Sequence, residues 1–214
     1  MSNVVLLGDS VFDNGSYISG GRNVRWQVEN SLPKGWQCTL LAVDGNTVRN
    51  ISDELARLPK DASHLIVSVG GNDAIDQMGV IDERLGSMAD ALSRMASVRE
   101  AFQRDYRAMV QEVLKHKLPT GLCTIYYPQF PDPDFQRLAI AGLASFNDII
   151  LLEAFRAGLP LLDLRLVCND PGDYANPIEP SVRGGEKIAA AIATLVLEHD
   201  FARGRSESYT YGRS

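Results

Sequence analysis

Short apolar runs alternate with longer amphipathic segments along most of the chain. Five runs have the length of a β-strand, the last named being the weakest: residues 4–7, 65–69, 122–126, 159–162 and 37–43. Between them apolar residues recur at helical spacing, as at Val24, Val28 and Leu32. Unbroken apolar strands that alternate with helices are typical of a parallel sheet covered on both faces.

This pattern predicts an α/β fold, a three-layer α/β/α sandwich around a five-stranded parallel sheet. The flavodoxin-like order 2-1-3-4-5 is one common arrangement, and its switch point lies between strands one and three. A chain of 214 residues, of which 45% are hydrophobic, suits a single domain, which we place at residues 1–200. Residues 201–214 are rich in Arg, Gly, Ser and Tyr and are expected to form a poorly ordered tail.

A serine follows the first strand directly. The apolar run ends in a Gly-Asp-Ser turn, which presents Ser10 at the carboxyl end of a buried strand, while Asp9 is expected to brace the turn. A Gly-Gly-Asn-Asp turn containing Asn72 follows strand three. In the predicted order both turns border the crevice at the switch point, where open α/β sheets bind ligands. A nucleophile and an amide donor are therefore expected to lie side by side.

The chain resembles the SGNH or GDSL-type hydrolases, which are serine esterases and acyl hydrolases. Four blocks carry the resemblance in the family's order: Gly8-Asp9-Ser10, Asp44-Gly45-Asn46, Val69-Gly-Gly-Asn-Asp73 and Asn176-Pro-Ile-Glu-Pro-Ser-Val-Arg-Gly184. The resemblance implies that Ser10 is the nucleophile, that a Ser10 acyl-enzyme forms, and that no cofactor takes part. The substrate it implies is a small-molecule ester, thioester or O-acyl compound.

The resemblance also implies an oxyanion hole made by the backbone N–H groups of Ser10 and Gly45 and the side-chain amide of Asn72. Acyl transfer builds negative charge on a carbonyl oxygen, and fixed donors around that oxygen lower the barrier. A neutral amide at position 72 can donate where a carboxylate could only accept. Glycine and asparagine are also ordinary turn formers, so these positions are informative only together with the serine.

The last block departs from the family's pattern. The family has a histidine base and an aspartate three residues before it, whereas this chain has Glu179 and Asn176. The histidines (64, 116 and 199) are expected at the wrong edge of the sheet or near remote helix ends. Free glutamate titrates near ~4.3 and is a weak base, but burial can raise its pKa toward ~6–7. Asn176 is expected to hold the carboxylate through its amide.

Two functions remain open at this point. The first is a serine hydrolase with Glu179 as an unconventional base. The second is a non-catalytic or degenerate binding protein that keeps the pocket and has lost efficient turnover. A flavodoxin- or receiver-like signalling module is disfavoured, because the Gly-Asp-Ser turn offers neither a Ser/Thr run for a flavin phosphate nor an acidic pocket for Mg²⁺.

Two segments are expected to border the site. Residues 76–100 form a long insertion containing Met78, Met88 and Met95. It is either a surface helix with methionine as adaptable filler or a mobile flap over an apolar substrate pocket. The proline-punctuated loop 129–134 follows strand four and would lie at the same edge of the sheet. Asp173 is either a second carboxylate of the site or a turn residue.

Composition narrows the remaining choices. A net charge of −6 and the lack of a basic run argue against nucleic acid as a partner. Neither histidines nor cysteines show metal-ligand spacing, so no metal is expected. The chain enters its first strand within three residues, and no apolar stretch is expected to approach the ~20 residues of a membrane span, so a cytoplasmic location is expected. The sequence does not indicate an oligomeric state.

Overall fold

The computed structural model describes residues 2–79 and 86–211 and has the three predicted layers. Its sheet has the strand order β2-β1-β3-β4-β5-β6, and every pairing is parallel. The strands are β1 (Asn3–Gly8), β2 (Gln37–Leu40), β3 (Ala62–Ser68), β4 (Thr120–Cys123), β5 (Leu161–Leu162) and β6 (Ser208–Tyr209). The predicted α/β sandwich and the order of its first five strands are confirmed.

Helices cover both faces of the sheet. They are α1 (Val24–Ser31), α2 (Ile51–Leu55), α3 (Gly71–Ile75), α4 (Met88–Leu114), α5 (Pro133–Ala157), α6 (Leu164–Val167) and α7 (Val182–Glu198). Local sequence sets the ends of α5, for example. The Asp132 side chain accepts the N–H groups of Asp134 and Phe135, Pro133 occupies the first turn, and Gly158 ends the helix in the left-handed conformation.

The two faces of β1 pack into separate cores, which explains why its apolar run is unbroken. Val4 and Leu6 contribute to the cluster beneath α1 and α7, whereas Val5 and Leu7 contribute to the cluster beneath α4 and α5. All six residues of the strand are buried. A strand with helices on both faces has no side that can be polar.

The sixth strand lies within the segment that was expected to be a poorly ordered tail. Ser208–Tyr209 pairs with β5, and the N–H of Asp163 donates to the carbonyl of Tyr209 at 2.9 Å. The Tyr209 ring also packs edge-on against His199, with centroids 5.8 Å apart. Unpaired backbone groups at the edge of β5 therefore recruit a segment whose own sequence carries no strand signal. Residues 212–214 lie outside the described part of the chain.

Helix α5 corrects the expectation that no apolar stretch approaches the length of a membrane span. It has 25 residues, its most apolar window reaches a mean hydropathy of 1.7, and 39% of that window is buried. By length and composition alone this helix could cross a bilayer, as many core helices of globular domains could. Here it packs on α4, where the rings of Phe146 and Phe102 lie 4.7 Å apart.

Candidate active site

The site begins where β1 ends against β3. Gly8 has a φ of +131°, and a Cβ at this position would lie 1.8 Å from the carbonyl oxygen of Ser68. Only glycine permits both this conformation and this close approach. The chain then turns, so that Ser10 stands at the switch point between the two strands.

A serine and a glutamate are hydrogen-bonded at this point. The hydroxyl of Ser10 donates to Oε1 of Glu179 at 2.9 Å, although 169 positions separate the two residues in the chain. Ser10 is 8% exposed and Glu179 is 4% exposed. The second carboxylate oxygen of Glu179, Oε2, is buried and has no hydrogen-bond partner among the described residues.

Burial changes the basicity of this glutamate. It raises the pKa of Glu179 to about 7; the hydrogen bond from Ser10 lowers the pKa, and the charge of Asp44 raises it. Removing a carboxylate from water disfavours its charged form, which is the dominant cause here. The carboxylate thus has a basicity close to that of an imidazole.

Asn176 positions Glu179 through the backbone rather than through the carboxylate. Its Oδ1 accepts the N–H groups of Ile178 and Glu179 at 2.9 and 3.0 Å. The expectation that the Asn176 amide holds the Glu179 carboxylate is therefore wrong. An asparagine side chain commonly folds back onto the N–H groups two or three residues ahead, and that turn fixes where the glutamate begins. The hydroxyl of Tyr126 holds the same turn by donating to the carbonyl of Ile178 at 2.6 Å.

Asn72 lies beside the pair, whereas Gly45 lies farther out. Asn72 lines the same cavity as Ser10 and Glu179, and its amide nitrogen donates to the carbonyl of Asn46 at 2.9 Å. An amide nitrogen carries two hydrogens, so one donor remains. Gly45 occupies an exposed turn with a φ of +84°, and it is not among the described residues that line this cavity.

Asp9 braces the turn, as expected. Its Oδ1 accepts the N–H of Val11 at 3.1 Å. Burial raises the pKa of Asp9 to about 8; that hydrogen bond lowers it, and the nearby charges of Glu179 and Asp73 raise it. The side chain is therefore mostly protonated near neutral pH, and it adds little negative charge next to Glu179.

Glu54, which the sequence analysis missed, ties three of the loops together. Its fully buried carboxylate accepts the N–H of Gly8 at 2.8 Å and the side-chain amide of Asn46 at 2.6 Å. The carbonyl of Asn46 in turn accepts the amide of Asn72. A signal was present: apolar Ile51 and Leu55 at helical spacing place Glu54 on the inward face of α2.

A cavity of about 720 Å³ opens beside the pair. Its walls come from α3, α4, α5 and the loop after β4, and they are mostly apolar. Met78, Met88 and Met95 all line it, so the 76–100 insertion borders the pocket. The loop after β4 contributes Pro128 and Phe130. Residues 80–85 lie outside the described part of the chain, and movement of the insertion stays a prediction.

Comparison with protein families identifies the scaffold that holds this site. A family model of the GDSL-like lipase/acylhydrolase family matches residues 6–186. The chain belongs to this family. Members are lipases and acylhydrolases, that is, ester hydrolases by class. No curated protein matches the chain significantly.

Solved structures of GDSL-type and other esterases share the fold. An extracellular lipase from Streptomyces rimosus superposes with a TM-score of 0.64 at 16% identity, over 89% of this chain and 97% of its own. A lipase/acylhydrolase from Enterococcus faecalis gives 0.61 at 18% identity over the whole of both chains. A carbohydrate acetylesterase from Sinorhizobium meliloti gives 0.63 at 14% identity, over 92% of this chain and 98% of its own. At these identities the likeness concerns the fold alone.

Asp173 and the three histidines of this GDSL-type domain do not line the cavity beside the pair. Asp173 is fully buried; its carboxylate accepts the N–H groups of Asn169 and Asp170 and pairs with Lys187 at 2.7 Å, so it is a structural turn residue. His64 stacks on Trp36 and is not among the cavity's lining residues, and neither are the other two histidines. Within residues 2–79 and 86–211, no group of three or more His, Cys, Asp or Glu could hold a metal ion.

Proposed function

We propose that the protein is a serine hydrolase that cleaves an ester, thioester or O-acyl bond through an acyl-enzyme on Ser10, with Glu179 as the general base. The observation that supports this most directly is the 2.9 Å hydrogen bond from the Ser10 hydroxyl to Glu179. A base must lie within hydrogen-bond reach of the proton that it removes.

Glu179 moves one proton in each half of the reaction. It takes the proton of Ser10 as the oxygen attacks the carbonyl carbon, and it then gives that proton to the departing alkoxide or thiolate. The acyl group is left on Ser10. In the second half Glu179 takes a proton from water, the hydroxide displaces Ser10 from the acyl carbon, and the proton returns to the serine oxygen.

The exchange of both family residues is electrostatically consistent. An imidazole base gains a positive charge when it takes the proton, and a neighbouring aspartate stabilises that charge. A carboxylate base instead becomes neutral, so a second anion beside it would only oppose its ionisation. Asn176 keeps the turn without adding that charge, and burial favours the protonated, neutral form of Glu179 during the reaction.

The charge on the carbonyl oxygen needs donors as well. We assign this role to the N–H of Ser10 and the remaining hydrogen of the Asn72 amide. The N–H of Gly45 lies in an exposed turn that does not line this cavity, and it is not assigned. Loss of one such donor typically costs ~3 kcal/mol of transition-state stabilisation. An Asn72→Ala variant should therefore lose roughly two to three decades in kcat.

A fluorophosphonate probe tests the proposal. We expect labelling of the wild-type protein, none in Ser10→Ala, and much weaker labelling in Glu179→Gln, with folding of each variant checked by circular dichroism. An unlabelled but folded wild-type protein would overturn the proposal and favour a binding protein that has lost turnover. The double variant Glu179→His, Asn176→Asp should restore the family's usual pair and raise activity.

A further inference from the structure

We propose that the cavity beside Ser10 is an acyl-chain pocket, that the substrates are esters or thioesters of fatty acids with about eight carbons or more, and that Gly142 keeps the pocket open. This inference rests on the proposed hydrolase function and names the substrate class of the same site.

The size of the cavity exceeds what a short acyl group needs. If a methylene is taken to occupy about as much space as a water molecule, ~30 Å³, a space of 720 Å³ is on the order of twenty such groups. An acetyl group would leave most of it empty. A chain of about eight carbons or more would fill a large share of it while its carbonyl carbon stays at Ser10.

The chemistry of the walls matches a hydrocarbon chain. On α4 the lining residues recur every three or four positions, which places them on one face: Met88, Ala91, Leu92, Met95 and Val98. The inner part contains buried Val98, Leu143 and Phe146. Ser10, Asn72 and Glu179 supply polar groups at the sheet edge, where Oε2 of Glu179 is buried without a partner in the described part of the chain. Gln77, just after α3, and Ser145 on α5 are the polar residues that these two elements add to the wall.

The mouth of the cavity is also apolar. Met88 is 76% exposed, Leu92 is 63% exposed and Leu138 is 52% exposed, and all three line the cavity. Single exposed apolar side chains scattered over a surface are ordinary, whereas several that line one opening mark a binding site for an apolar ligand. A bound chain would remove part of this surface from water.

Gly142 is the position on α5 that leaves the space open. It lies in the cavity wall, and a Cβ built on it meets nothing within 4 Å. A glycine in the middle of a 25-residue helix costs about 1 kcal/mol relative to alanine. The fold accepts this cost at a position where a larger side chain would occupy the pocket.

A series of p-nitrophenyl esters tests the chain-length preference. Full burial of a methylene is worth about 0.8 kcal/mol, or roughly fourfold in binding, so kcat/KM should rise at least about tenfold from butyrate to octanoate even in a half-open pocket. Gly142→Leu should cancel this rise, so that its butyrate and octanoate esters are hydrolysed at similar kcat/KM. Ala144→Leu is the matched control, since Ala144 is exposed on the same helix and is not a lining residue.

A binding measurement separates the two proposals. The Ser10→Ala variant should bind 11-(dansylamino)undecanoic acid, and Gly142→Leu in that background should weaken binding at least about tenfold while Ala144→Leu should not. Binding without hydrolysis of any ester would overturn the catalytic proposal and support the pocket. Hydrolysis of acetate and octanoate esters at equal kcat/KM, together with no binding of the probe, would overturn the pocket and support the catalytic proposal.

Discussion

A carboxylate at position 179 sets the pH at which the proposed reaction can run. Glu179 must be ionised to accept the serine proton, and its pKa is raised from 4.5 to about 7. Activity should therefore be lost as the pH falls through 7, rather than through the pH 4–5 range of an exposed glutamate.

The pH dependence of kcat/KM between about pH 5 and 9, followed by pH-stat, checks this assignment. We expect a single rise with a midpoint near pH 7. Glu179→Gln should lower kcat/KM at least about a hundredfold at pH 8, since general-base catalysis is worth roughly two to four decades. A wild-type midpoint below about pH 5 would contradict a buried carboxylate as the base.

Asn176 acts one step away from the chemistry, as a positioning residue. Its Oδ1 accepts two backbone N–H groups that fix the turn before the glutamate. Asn176→Ala removes that acceptor, and we expect kcat to fall roughly tenfold with the pH midpoint unchanged, since one hydrogen bond is worth about 0.5–1.5 kcal/mol. Asn176→Asp keeps an acceptor and should recover most of the rate, but its added anion should move the midpoint upward. If Ala and Asp behave alike, the turn is not what positions the base.

At the level of elements, α2 matters because it carries Glu54 into the sheet edge. The carboxylate accepts from Gly8 and Asn46, which belong to the first two sequence blocks, and Asn46 accepts from Asn72 of the third. The three loops are thus joined by hydrogen bonds around one buried group. A partly satisfied buried network is costly, so the effect of disturbing it should be large.

Glu54→Gln puts an amide hydrogen against one of the two donors and leaves that donor unpaired. We expect the free energy of unfolding to fall by about 1–3 kcal/mol, as measured by urea titration, and kcat/KM to fall with it because Asn72 loses its support. Asp53→Asn is the control, since Asp53 is exposed on the same helix. Equal free energies of unfolding for Glu54→Gln and Asp53→Asn would contradict a stabilising role of the hydrogen bonds to Glu54.

The elements that the sequence predicted well are those whose burial is visible in their own residues. The position of β1 could be predicted from its unbroken apolar run, which exists because both faces of the strand are buried. Strand β6 was missed because it has two residues and exists through its pairing with β5. The orientation of the Asn176 amide and the role of Glu54 depend on which backbone groups the folded loops bring near, and spacing along the chain does not contain that information.

Across the whole molecule, acidic side chains gather at the carboxyl edge of the sheet. Burial raises the pKa of Asp9 to about 8, those of Glu54 and Glu179 to about 7, and that of Asp73 above its ordinary value. In the unfolded chain these groups are ionised near neutral pH. The folded protein therefore binds more protons than the unfolded chain in this range, and its stability falls as the pH rises.

Asp9 gives the clearest test of this behaviour. Well below its folded-state pKa of about 8, Asp9 is protonated in the folded state and ionised in the unfolded state. Near pH 6.5 it alone therefore contributes about 1.4 kcal/mol of lost stability per pH unit, and about half of that at pH 8. Asp9→Asn keeps an oxygen for the N–H of Val11 and removes the ionisation, and its free energy of unfolding should depend less steeply on pH by that amount. His64, whose pKa is lowered by burial, acts with the opposite sign below pH 6.5, which is why the upper range is the informative one. Parallel pH dependences for the two proteins, measured by urea unfolding at pH 6.5, 7.2 and 8, would mean that Asp9 is ionised in the fold, and a second full charge would then stand beside the proposed base.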